Sequence, residues 1–406
     1  MTVFRDVLST AGVRLLDSGA ILDCAALEHL LGHTLIEPIV QCVRAGDLVQ
    51  EKALLSVARV SVAAVPLLGH FEARLGTEAR RVWSALEKCA QTPAVMLRLT
   101  VARNTDYGMY QHAVRTAFLA LFIGVMAGFS ESDLHAVGTA ALMHDVGMMH
   151  MDAAPWEGRR SLSVSERRML QKHPLIGQQI ALSELMLAPS IATAIAQHHE
   201  RIDGSGYPDG LSGAAISPLA RVLMLVEVAS GVLDSVDGDP VLQLSITLRA
   251  NQNSLDRELC ELLLAALPGS PAPVGPAAFH RAELRRVGAL LTAWRIACER
   301  VTGADAPQFV FVNERMQRLH RMLAEVSIRS EGPTEAAATS VVCAEIGALG
   351  REALWQTRQI AYDTRQRWPD TGERGSLPGQ DAVNEWIYAA MKLTDVPTGA
   401  NQAPNR

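Results

Sequence analysis

The run from residue 198 to 213, His-His-Glu-Arg-Ile-Asp-Gly-Ser-Gly-Tyr-Pro-Asp-Gly-Leu-Ser-Gly, constrains this chain more than any other stretch. It closes an apolar segment, residues 188–197, that reads as a helix with Pro189 in its first turn. Adjacent histidines at a helix end can aim imidazole nitrogens at a metal from a rigid base, and the glycines that follow let backbone approach a ligand. Upstream, His144 and Asp145 sit in Ala-Ala-Leu-Met-His-Asp-Val-Gly. An imidazole and a carboxylate buried in such surroundings need partners, and a metal suits both.

The flanking pattern is helical. Residues 109–126 form a strongly apolar helix carrying His112 and Arg115 near its start, and residues 220–232 form another whose charged exceptions are Arg221 and Glu227. Ser130-Glu-Ser-Asp133 and Ser163-Val-Ser-Glu166 are capping boxes that open helices. A composition 49% hydrophobic but only 5% aromatic fits helices packed through Ala, Leu and Val. The fold expected is mainly α: a helical bundle with a small N-terminal α/β module and additional C-terminal helices.

Five segments are expected. Residues 1–50 form the small module, with a hairpin turn at Asp17-Ser18-Gly19. Residues 51–103 are a helical connector that includes a connecting helix over 72–89. Residues 104–267 are the central domain, residues 277–368 a C-terminal helical region with long helices over 277–329 and 334–368, and residues 369–406 a flexible segment.

The formal charge of −6 argues against a generally nucleic-acid-binding surface. The longest apolar run, 117–129, is interrupted by Gly124 and Gly128 and falls short of a membrane span. Six cysteines scattered singly fit a reducing compartment, and the first residues show no signal pattern, so a cytoplasmic location is expected.

The two histidine-bearing motifs, in this order and spacing, resemble the HD-GYP family of HD-domain phosphohydrolases. The resemblance covers about residues 107–231 and implies an HD-type bundle holding two divalent transition metals, iron or manganese. By motif it implies His112, His144, Asp145, His173 (in His-Pro-Leu-Ile-Gly), His198, His199 and Glu227 as metal ligands. Asp145 would bridge the metals, and His144 and Asp145 would form the catalytic pair. The implied reaction is hydrolysis of a cyclic dinucleotide, cyclic di-GMP foremost, through a metal-activated hydroxide. Arg201, Asp203, Gly204, Gly206, Tyr207 and Pro208 correspond to the signature loop and are the candidates for substrate binding. That loop reads equally as a tight turn that fixes the histidine pair. A signalling-protein partner and a homodimer are further expectations; a membrane or a nucleic-acid polymer is not.

Several positions depart from the family pattern. Met148 stands where a lysine is usual, and Gly108 where some members carry a third-metal glutamate. Glu227 replaces an aspartate, and Val-Ala-Ser-Gly-Val after it lacks a second aspartate. These departures support an alternative, a catalytically weakened HD-GYP protein acting as a signalling or binding module. Of the other histidines, His29, His33, His70, His135, His280 and His320 read as ordinary structural residues, while His150 stays open between the two roles.

Overall fold

A computed structural model describes residues 2–44, 48–151, 163–234, 239–269, 278–300, 307–329, 337–368 and 380–394. The chain divides into two compact units, Met1–Asp152 with Met169–Ser230 and Asn253–Leu267, and Ala153–Arg168 with Gly231–Gln252 and Pro268–Arg406.

The first unit begins with an α/β module. Strand Thr2–Val3 pairs antiparallel with Val43–Arg44, Val7–Leu8 pairs with Arg14–Leu16, and the helix Cys24–Leu31 starts from an Asp23 cap. Val3, Val7, Leu30, Cys42 and Val43 form its core together with Leu97 from the helix Pro93–Thr105. The hairpin expected at Asp17–Gly19 lies instead around Gly12, whose φ of 76° favours glycine. Asp17-Ser18-Gly19 makes a different turn, one that returns Ala20 to accept from the Val3 amide at 2.8 Å.

Helices Glu51–Ala64, Pro66–Leu75, Ala79–Cys89 and Pro93–Thr105 follow. Pro66 and Pro93 stand in first turns, where a missing amide proton costs nothing. The single helix expected over 72–89 is two, because Gly76 adopts φ 55° and a short 3₁₀ turn intervenes.

Helix Tyr107–Met126 is the central strut of this unit. It is 20 residues long, and by length and apolarity it could cross a membrane, contrary to the shorter run read from the sequence. Its apolar side chains are instead buried, Phe122 stacking on Phe71 with ring centroids 4.7 Å apart. Helices Glu131–Met143, His173–Ser183, Pro189–Gln197 and Pro218–Asp234 carry the remaining site residues, and Arg257–Ala266 completes the unit.

The second unit contains helices Pro240–Ala250, Ala278–Arg300, Pro307–Arg329, Ala337–Arg367 and Gln380–Thr394. Two helices therefore occupy 277–329, the second opening on Pro307. Trp294 and Trp386 meet edge to face at 5.2 Å in its core. Glu352 is buried there, accepting hydrogen bonds from Thr247, Asn251 and Gln356, and burial pushes its carboxyl up.

The segment expected to be flexible, 369–406, contains the helix Gln380–Thr394, with Ala382, Val383, Trp386, Ile387 and Ala390 buried along one face. That four-residue spacing is an apolar helical stripe, and burial of Trp386 rewards ordering it. The other residues of 369–406, the 270–277 break and the side chain of His280 lie outside the described residues.

Candidate metal centre

Each site histidine is placed by local chain chemistry. The helix Glu131–Met143 starts where the Ser130 hydroxyl accepts from the Asp133 amide at 3.2 Å, and His144 is its C-cap. His198 is the C-cap of Pro189–Gln197, and His173 opens His173–Ser183 with Pro174 behind it. The Nδ1 atoms of His144, His173 and His198 lie 2.8, 2.8 and 2.6 Å from the carbonyls of Ala141, Leu170 and Ile195. A carbonyl can only accept, so each Nδ1 carries the proton and each neutral ring presents a bare Nε2 lone pair.

Those lone pairs converge on Asp145. Its Oδ1 is 3.3 Å from His173 Nε2 and 3.9 Å from His198 Nε2. Its Oδ2 is 3.4 Å from His144 Nε2 and 4.0 Å from His112 Nε2. Glu227 reaches the same place from helix Pro218–Asp234, its Oε2 3.4 Å from His144 Nε2 and 3.5 Å from His112 Nε2. The donors fall into two groups, Asp145 with His173, His198 and His199, and His112 with His144 and Glu227, the donor atoms within each lying within 4.8 Å of one another.

The fit of this set to metal ions is tested by its lone pairs. His173 Nε2 and His198 Nε2 face each other at 3.1 Å, a separation two bare acceptors hold only with a proton or a cation between them. His144 Nε2, His199 Nε2 and Glu227 Oε2 are buried without a hydrogen-bond partner in the structure. Orphaned nitrogen and oxygen donors turned toward one another are what divalent transition metals complete.

The electrostatics agree. Burial, reinforced by His173 and His144, depresses His198 to about 3, and burial with His198 and His173 holds His199 well below its ordinary value. Burial opposes ionisation of Asp145, but His144 and His173 outweigh it and keep the carboxyl well below the usual range. Glu227 behaves likewise beside His112 and His144. At neutral pH His198 and His199 are therefore neutral imidazoles and Asp145 and Glu227 ionised carboxylates, the protonation states that coordinate metal, while burial is outweighed at His144, where Asp145 and Glu227 push the ring's pKa up.

Two glycines let these pieces meet. A Cβ on Gly147 would lie 2.1 Å from the His173 carbonyl oxygen, and one on Gly206 would lie 2.4 Å from the backbone of Glu200 and Arg201. Gly147→Ala is accordingly expected to cost about 1–3 kcal/mol or more, seen as a lowered Tm, together with loss of metal uptake. A wild-type melt would show that this packing is looser than the structure has it.

The loop after the histidine pair is organised by Glu200, whose importance the sequence reading missed. Its buried carboxylate accepts from the amides of Asp209 and Leu211, both at 2.8 Å. An acidic residue just ahead of a glycine-rich turn was the available signal. The Asp203 carboxylate accepts from the Ser205 amide and hydroxyl, Gly204 turns the chain at φ 75°, and Pro208 follows Tyr207 through a cis peptide. Tyr207 stacks on His199 with centroids 4.6 Å apart, and its amide donates to the His199 carbonyl at 3.1 Å. Arg201 is half-buried and donates to the Glu200 carbonyl, and Met148 is buried.

Arg221, a phosphate or structural cation on sequence grounds, donates to Asp256 at 3.0 Å and to the carbonyls of Gly213 and Ile216, tying the loop's exit to the next helices. His150 contacts Arg98 at 3.1 Å, and Arg98 also pairs with Glu184. His70 faces the Ala266 carbonyl, and His29 and His33 meet edge to face. Ser230, also missed, places its hydroxyl 3.3 Å from His112 Nδ1.

Helices that present histidines and a shared aspartate in this way define an HD domain, and residues 99–229 match the model of the HD domain family. With its glycine-tyrosine-proline loop, the matched segment is similar to the HD-GYP type of that domain. The chain is 30% identical over 139 residues to the cyclic di-GMP phosphodiesterase response regulator RpfG of Xanthomonas campestris, covering 33% of this chain and 37% of that one. It is 28% identical over 140 residues to a cyclic di-GMP phosphodiesterase of Pseudomonas aeruginosa, covering 34% of each. A 3′3′-cGAMP-specific phosphodiesterase of Vibrio cholerae is 31% identical over 117 residues, with 29% of this chain and 25% of that one covered. The chain thus spans little more than a third of the length of the first two relatives.

Proposed function

We propose that this chain is a metal-dependent phosphodiesterase that hydrolyses a cyclic dinucleotide, cyclic di-GMP foremost, with two divalent ions, iron or manganese, in the two donor groups. The observation that carries this reading is the division of Asp145, one oxygen toward His173 and His198 and the other toward His144 and His112. Bound there, the ions would lower the pKa of a water molecule and neutralise phosphoryl oxygens.

The chain's own residues do the rest. His144, His173 and His198 keep Nδ1 protonated on the main chain and Nε2 free to bind. Tyr207 stacks over one face of His199. Arg201, half-buried and separated from the histidine pair by one residue, is assigned to a substrate phosphate in this reading. Arg221 is occupied by Asp256 and two carbonyls and is assigned to structure.

Metal analysis of anaerobically purified protein, with chromatographic assay of cyclic di-GMP and 3′3′-cGAMP hydrolysis, tests the proposal. Two equivalents of metal and a linear dinucleotide product are expected. One specific observation favours a second reading, a binding module: the buried Met148 leaves an apolar side chain where the related pattern has a cation. Full metal occupancy with dinucleotide binding but no product would put that reading first.

A further inference from the structure

The main chain orients three of the site histidines, through the carbonyls of Ala141, Leu170 and Ile195 that take the Nδ1 protons of His144, His173 and His198. His199 is mounted differently. Among the described residues no carbonyl accepts a proton from its ring, and its buried Nε2 has no hydrogen-bond partner. Contact with other rings fixes it: His198 with centroids 4.1 Å apart, His173 edge-on at 5.0 Å, and Tyr207 at 4.6 Å. The two imidazoles are donors in the same metal group as His199, so Tyr207 is the support that comes from outside that group. Its plane lies 21° from that of His199, a stacked pair that resists swinging of the imidazole.

Chain chemistry on either side of Tyr207 leads back to Glu200, the residue after His199. The Tyr207 amide donates to the His199 carbonyl at 3.1 Å. Gly206 runs against the backbone of Glu200 and Arg201, where a Cβ would come within 2.4 Å and push the loop away. Beyond Tyr207 the wholly buried Glu200 carboxylate takes the Asp209 amide on Oε1 and the Leu211 amide on Oε2, each at 2.8 Å. Farther out the Gly213 amide donates to the Ile202 carbonyl at 2.9 Å, and Asp203 pairs with Ser212. Freeing the carboxylate would leave a buried acceptor and two amides without their partners, which is costly.

We propose that Tyr207 is a positioning residue for His199, held in place by Glu200, so that the loop sets how tightly the group of Asp145, His173, His198 and His199 binds its ion. The role rests on the metal reading of the site. The ring of Tyr207 keeps the His199 Nε2 turned toward the other donors, and the Glu200 carboxylate keeps Tyr207 on the ring. The group of His112, His144 and Glu227 owes nothing to this contact.

Manganese(II) titrated into the metal-free full chain against a competing chelator tests this in wild type, Tyr207→Ala, Tyr207→Phe and Glu200→Gln. Tyr207→Ala is repeated on a Glu227→Ala background. Histidine ring spectra and amide hydrogen exchange of the metal-free forms are recorded alongside. Tyr207→Ala is expected to weaken one of two manganese equivalents by about 10–100-fold, to leave the other unchanged, and to weaken the equivalent that survives Glu227→Ala. Tyr207→Phe, which keeps the ring, is expected to bind as wild type does. Glu200→Gln, whose NH₂ would meet an amide N–H, is expected to lose exchange protection at Asp209 and Leu211 and to weaken the same equivalent. Unchanged affinity in Tyr207→Ala overturns the proposal, as does a loss that spares the Glu227→Ala background. Equal losses in the Ala and Phe variants would assign the effect to the hydroxyl and overturn it too. Lost loop protection in Glu200→Gln with full manganese affinity overturns the part given to Glu200; if that variant fails to fold, the Tyr207 variants decide. Wild type that takes up no manganese, while Tyr207→Ala still shifts the His199 ring resonances, overturns the metal reading of the site, and the proposal falls with it.

Discussion

Asp145→Asn is expected to strip both ions from the protein at once. The substitution keeps the shape of the side chain but replaces one oxygen by an NH₂ group and removes the charge. The carboxylate faces four imidazoles, two through each oxygen. An amide would turn its NH₂ toward a bare Nε2 and satisfy it by hydrogen bonding, competing with metal in one group. Its remaining oxygen, now neutral, would bind weakly in the other. Removing one partner of a buried charged set costs about 3–5 kcal/mol, or about two to three orders of magnitude in affinity. Metal content after desalting checks this, and retention of both equivalents would mean that Asp145 bridges nothing.

The same variant carries a pH signature in the metal-free chain. The folded Asp145 carboxyl titrates well below its ordinary value, so it stabilises the fold above the unfolded pKa of about 3.9. That contribution disappears as pH falls through the depressed folded value. Acid unfolding of metal-free Asp145→Asn should therefore lack this part of the pH dependence, which denaturation curves across the acid range would show.

Glu227→Ala is expected to abolish turnover while leaving the fold intact. Its Oε2 stands 3.4 Å from His144 and 3.5 Å from His112, so its loss removes the anionic member of one donor group. The other group keeps Asp145 and three histidines, and one metal equivalent should remain. Charge stabilisation by a bound ion is worth several kcal/mol, so the rate should fall by at least about a hundredfold. Neighbouring Ala229 and Ser230 already pack the helix without help from Glu227, so the circular-dichroism melt of the metal-free protein should barely move. Persistent turnover with both ions bound would remove Glu227 from the site.

The sequence made the site histidines legible because each is marked by chain chemistry. Ser130 capping predicted where the His144 helix starts, Pro189 where the His198 helix starts, and the order of motifs placed His112 and Glu227 beside them. The mainly helical fold was legible for the same reason, since apolar stripes with caps repeat along the chain. What stayed hidden depends on contacts between distant segments. Glu200 reads as one more charged residue until the loop folds back to give it two amides. Ser230 reads as one more small helix residue until it meets a ring 118 residues away. The break at Gly76 and the helix Gln380–Thr394 were misjudged because a single glycine and a short stripe between Pro- and Gly-bearing flanks are weak local signals.

The way the histidines are mounted also bears on how such a site drifts over generations. The acceptors that hold His144, His173 and His198 belong to the peptide backbone, which no missense change can delete. His112 faces the Ser230 hydroxyl at 3.3 Å, a side chain that a single codon change can erase. Genetic erosion at Ser230 would touch the His112, His144 and Glu227 group and leave the backbone mountings of the other histidines standing.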